Sequence, residues 1–108
     1  MPVPAPILVT PGRWVIEVTA VGFMKATYTL DLDPFGNFAG THTMWGMSGR
    51  NGGRWIWDAN TRVLHIQIVI EQFGQQSMDA TSIEITGADG SVLLGRDAMM
   101  RTYRLTRG

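Results

Sequence analysis

Met24-Lys25-Ala26-Thr27-Tyr28-Thr29-Leu30-Asp31-Leu32-Asp33, followed by Pro34-Phe35-Gly36-Asn37, is the passage of this 108-residue chain that decides its fold. Met24, Ala26, Tyr28, Leu30 and Leu32 fall at every second position, with Lys25, Thr27, Thr29, Asp31 and Asp33 between them. Successive side chains of a strand point to opposite faces, so this pattern reads as a strand with one face in a core and one in water. The four residues after it form a turn by their own chemistry, because proline fixes φ early and glycine or asparagine accepts φ > 0. A hairpin is expected, its return strand running from Phe38 to Met47.

Upstream, Gly12-Arg13-Trp14 opens a first strand in which Trp14, Ile16, Val18 and Ala20 share a face. A large aromatic at the mouth of that strand can plug one end of a small core, and Gly12 lets the chain turn sharply into it. Val21-Gly22-Phe23 reads as the turn into the second strand. Four of the five prolines lie at positions 2, 4, 6 and 11, so residues 1–11 read as an extended arm and residues 12–108 as a single β domain. The arm is either a free tail or a segment that packs on a partner subunit.

Downstream, the return strand carries bulk on both faces: Phe38, Gly40, His42 and Met44 on one, Ala39, Thr41, Thr43, Trp45 and Met47 on the other. Ser48-Gly49-Arg50-Asn51-Gly52-Gly53 reads as a flexible connection, and Arg54 to Asp58 as a short fourth strand. Arg62 to Glu71 is the strongest β signal, with Leu64, Ile66, Ile68 and Ile70 inward. Gln72 to Ser77 reads as a polar loop, Met78 to Thr86 as a sixth strand, residues 87–90 as a tight turn into Ser91–Leu94, and Ala98 to Arg107 as the last strand. Strands this short, joined by tight turns and without a helical period, make an all-β antiparallel meander of about eight strands. Closure into an up-and-down barrel removes its edges, and a sandwich or an open curved sheet is the alternative.

Composition narrows the function. Nine basic residues balance nine acidic ones without a block of like charge, so the electrostatic footprint of a nucleic-acid binder is missing. There is no cysteine, which removes disulfides, thiolate metal sites and a cysteine nucleophile together. The N-terminus has neither the basic region nor the apolar run of a signal peptide, and no stretch approaches the roughly 18 apolar residues of a membrane helix. The chain reads as soluble, off the membrane and, by default, cytoplasmic.

With Gly12-Arg13-Trp14 opening the first strand, a meander of hairpins, and Arg101 and Arg104 on the closing strand, the chain resembles the calycin barrels, the lipocalins and avidins. In those families the first-strand tryptophan packs under a basic residue of the last strand. The resemblance therefore implies a pairing of Trp14 with Arg101 or Arg104, a guanidinium stacked on an indole at one barrel end.

No zinc-motif spacing joins the two histidines, no serine sits in a nucleophile elbow, and the acids Glu17, Asp31, Asp33 and Asp79 read as solvated outer-face positions, so a non-enzymatic role without a cofactor or metal is expected. His65 lies opposite the Leu64/Ile66 face and reads as exposed. Trp45, Trp55 and Trp57 flank the 48–53 segment and are expected to gather at one barrel end. There they would hold a small apolar or aromatic ligand, with Tyr28, His42 and Tyr103 as polar handles. Surplus apolar residues on the outer face, Val63 and Val69 among them, point to homo-oligomerisation through residues 62–71. The rival reading is an interaction module with a filled core and no ligand.

Overall fold

The computed structural model describes residues 8–20, 24–44, 46–72 and 74–108, so the 21–23 turn and most of the proline-rich arm lie outside the described residues. Eight strands, β1 (Gly12–Ala20), β2 (Met24–Leu32), β3 (Asn37–Met44), β4 (Met47–Asp58), β5 (Val63–Gln72), β6 (Gln75–Asp89), β7 (Val92–Arg96) and β8 (Thr102–Arg107), pair antiparallel in sequence order. The meander closes on itself through β1 and β8, with Trp14 opposite Arg107, Ile16 opposite Leu105 and Val18 opposite Tyr103. Among the described residues no helix is long and apolar enough to cross a membrane.

The inner rows are the ones the alternation marks. Leu30, Leu64, Ile83 and Leu105 are fully buried, and Trp14, Ile16, Phe38, Ile66 and Ile85 join them in one core. Each such side chain contributes about 1.5–3 kcal/mol relative to exposure. The β2–β3 hairpin forms as expected, with Leu32 opposite Phe38. Asp33 locks its turn by accepting hydrogen bonds from the backbone N–H groups of Phe35 (2.9 Å) and Asn37 (2.8 Å).

The return strand ends at Met44 and not Met47, β6 runs on to Asp89 through the expected 87–90 turn, and three further boundaries differ for a physical reason. Residues 48–53 are the first half of β4 and not a flexible connection. Glycine there marks close approach, not a loop: Gly53 has φ +157, and a Cβ on it would collide with the Gln67 carbonyl of β5. The glutamine-rich segment expected as a loop extends the β5–β6 hairpin instead, with Glu71 opposite Gln76 and Gln72 opposite Gln75, and residues 74–80 are all exposed. The last strand begins only at Thr102, because residues 97–101 fold into a turn around the Asp97 carboxylate. Met100 sits in that turn at φ +63.

Candidate functional site

In an up-and-down barrel the turns gather at two ends, and here the ends differ. The end that carries residues 8–11, the C-terminus and the 33–36, 59–62 and 90–91 turns is sealed. Val9, the last apolar residue before the strands, is buried in the core, and the Trp14 indole donates to the Thr10 carbonyl at 2.8 Å. Arg107 lies over the Trp14 ring, its Cζ 4.5 Å from the centroid, and donates to the Pro11 carbonyl at 2.8 Å and to the Thr10 hydroxyl. The tryptophan–arginine closure is therefore made by Arg107, and not by Arg101 or Arg104, because β8 is short and pairs its final residue with Trp14. The part of the arm that is described, residues 8–11, covers this chain's own barrel end.

Trp55 and Trp57 lie together at one end of the barrel, the sealed one. Trp55 is buried, donates its indole N–H to the Asp33 carbonyl at 3.1 Å and bonds through its backbone to Gly36. Trp57, two residues further toward the 59–62 turn, is half-buried, and its indole N–H has no partner among the described residues. Trp45 lies outside the described residues.

The opposite end, to which the turns after Met44, Gln72 and Arg96 belong, is open among the described residues. An internal cavity of about 70 Å³ has Ile16, Val18, Leu30, Ile66, Ile68, Ile70 and Ile83 as its apolar wall, and Tyr28, Asp79, Thr81, Arg101 and Tyr103 as its polar lining. A second space of about 110 Å³ at the mouth shares Val18, Tyr28 and Arg101 with it and adds Ala20, Lys25 and Met44. Met47, Met78, Met99 and Met100, on the turns and strand ends at this end, are exposed.

The polar groups of this half are organised by Asp97, whose side chain is only 4% exposed. Oδ1 accepts from the backbone N–H of Met99 (2.9 Å) and of Arg101 (3.1 Å). Oδ2 accepts from Arg101 Nε (2.6 Å) and from Tyr103 Oη (2.5 Å). Burial pushes the Asp97 carboxyl up, but these hydrogen bonds outweigh it and hold the group below the usual carboxylate range. Burial and the bond to Asp97 push the Tyr103 hydroxyl well up, so it stays a donor. Burial draws the Arg101 guanidinium down, while Asp97, Tyr103 and Asp79 together hold it above its ordinary value. Burial raises the Tyr28 hydroxyl, with Arg101 opposing and Asp79 adding to the rise.

His42 stands behind Tyr28, the two rings 5.6 Å apart and tilted by 32°. It is 2% exposed, and its Nδ1 lies 3.2 Å from Asn51 Nδ2, so that the amide donates toward the ring. His42 Nε2 and Asn51 Oδ1 have no partner among the described residues. Room for the ring comes from Gly49, where a Cβ would approach Cε1 and Nε2 to 2.7 Å. His65 is exposed, as expected, and pairs with Ser82 Oγ at 2.8 Å.

Of the residues singled out from sequence, Tyr28 and Tyr103 line the cavity and His42 supports one of them. Arg101, Asp79, Asp97 and Asn51 were not recognised as part of it. Asp79 is exposed yet shares the inward parity of Thr81, Ile83 and Ile85, so counting back from the isoleucines finds it. Nothing local marks Asp97 as a buried hub. No known family model, curated protein or solved structure matches this chain.

Proposed function

We propose that this chain is a non-enzymatic binding barrel that holds a small apolar or aromatic molecule, about one ring in size, in the open half of its interior. The asymmetry of the two ends carries this reading: one end is filled by Val9, Trp14 and Arg107, whereas the other keeps unfilled space walled by isoleucine and valine and edged by Tyr28, Arg101 and Tyr103. Size limits the ligand. The cavity of about 70 Å³ is by itself smaller than the roughly 150 Å³ that accepts benzene, so a single ring needs the adjoining mouth space of about 110 Å³ as well, and both fall short of the roughly 300–1,000 Å³ of drug-sized pockets, which excludes the large lipids and pigments of wide barrels. The exposed methionines at the opening suit entry of an apolar guest, because thioether side chains adapt to irregular apolar shapes. Trp14 under Arg107 supports the calycin reading of the barrel.

Titration with toluene, followed through the methyl resonances of Val18, Ile68 and Ile83, tests the proposal. Saturable shifts in those methyls, abolished by Val18→Phe at the mouth, are expected; their absence up to the solubility of toluene overturns it.

A second reading, assembly of copies through residues 62–71, is favoured by the outer face of β4–β6. Ile56 is 66% and Phe35 82% exposed there, beside a groove of about 470 Å³ that includes His65 and Gln67. Val69→Glu, on the same outer face of β5, is expected to convert an oligomer to monomer in sedimentation equilibrium. A wild-type protein that is already monomeric removes the reading.

A further inference from the structure

The hydrogen-bonding capacity left unused at the open end specifies the polar end of the ligand. Both oxygens of Asp97 are taken, by two backbone N–H groups, Arg101 Nε and Tyr103 Oη. The Tyr103 proton is committed to that contact. Among the described residues, four groups facing the cavity keep capacity: the terminal nitrogens of Arg101, which make no hydrogen bond; the Tyr28 and Thr81 hydroxyls, which make none; and Asp79 Oδ2, whose twin Oδ1 accepts from the Ala80 N–H at 2.8 Å. The site thus presents a charged donor and a charged acceptor on one cavity lining, with hydroxyls able to play either part.

Charge decides among ligand heads. Asp97 neutralises Arg101 through the 2.6 Å ion pair, and Asp79 is near enough to act on both Arg101 and Tyr28. A carboxylate brought to Arg101 meets Asp79, and an ammonium brought to Asp79 meets Arg101; either carries a like-charge repulsion into a half-dry mouth. A neutral head with a carbonyl and an adjacent N–H meets neither, and it satisfies both vacancies at once.

We infer that the barrel selects a neutral, one-ring molecule bearing an amide or lactam group, its carbonyl received by Arg101 and Tyr28 and its N–H given to Asp79. This rests on the one-ring reading above and is separable from it. Four probes with the same ring, benzamide, benzoate, benzylamine and toluene, are titrated against the intact protein by methyl NMR. Hydrogen bonds to charged groups are worth enough that benzamide is expected to bind at least about tenfold more tightly than each of the others. Asp79→Ala, at an exposed position outside the core, is expected to bring benzamide affinity down to that of toluene measured in the same variant.

If toluene binds and benzamide is no tighter, or if benzoate or benzylamine is preferred, the amide assignment falls and the cavity reading stands. An Asp79→Ala protein that keeps the full preference for benzamide also overturns the assignment. If none of the four shifts the cavity methyls, both fall together.

Discussion

The two ends of the barrel are closed by different physics. The sealed end is a plug: an indole, an aliphatic residue from the arm and a guanidinium stacked above them, joined by hydrogen bonds to backbone carbonyls that do not titrate. The open end is held by one carboxylate, with four donors converging on Asp97 to fix the turn into β8. Apolar burial at the first end is worth more, yet it leaves nothing to bind with. The second end keeps space and unspent polar groups because its closure is concentrated in a single residue at the rim.

The largest effect is expected at the plug. Trp14→Ala removes a buried indole from the centre of the sealed end and orphans the Arg107 guanidinium above it, so a loss of about 3–5 kcal/mol is expected in chemical denaturation. If Trp14→Ala costs no more than Tyr28→Phe at the open end, the contrast between a filled and an unfilled end is broken.

A smaller effect tests the polar pair in the wall between the two ends. Asn51→Ala leaves His42 Nδ1 without its partner inside the barrel, which is expected to cost about 1–3 kcal/mol. Replacing both by leucine in a His42→Leu/Asn51→Leu protein removes the unmet polar groups together, and the double variant is expected to be more stable than Asn51→Ala alone. Denaturation midpoints of the three proteins decide it. A double variant less stable than the single one means that the pair contributes net stability as a unit.

How much of this was legible follows the same division. The period-2 rows of β1, β2 and β5 are written as alternation, because each has one wet face, and they specify the barrel and its sealed Trp14. The first half of β4 was not legible, since Gly49 and Gly53 look like loop residues until the His42 ring and the Gln67 carbonyl that occupy their missing side chains are known. Trp55 and Trp57 do share one end, but because residues 48–53 are strand and not loop, that end is the sealed one. Arg107 is not legible as the partner of Trp14 because only the β1–β8 register, which sets the last residue of β8 opposite Trp14, puts it there. The polar mouth was the hardest to see, because Asp79, Asp97, Arg101 and Tyr28 come from two strands and a turn, and only closure of the sheet brings them together.

Acid should separate the two ends with the smallest perturbation. The Asp97 carboxyl is held below its ordinary value of 3.8 by the groups that donate to it. A group depressed in the folded state stabilises the fold at every pH above its unfolded value, and that contribution is lost as pH falls through the folded one. Hydrogen exchange at Thr102 and Tyr103 is therefore expected to accelerate, relative to the intrinsic rate, as pH drops below about 4, while protection of the Trp14 indole N–H, bonded to a backbone carbonyl, is retained. Asp97→Asn keeps an acceptor without the charge and is expected to abolish the pH dependence at the open end, at the cost of faster exchange there at neutral pH. Equal acid loosening at Trp14 and at Tyr103 would mean that the barrel opens as one unit, and that the division between a plugged end and a carboxylate-held end does not govern how it comes apart.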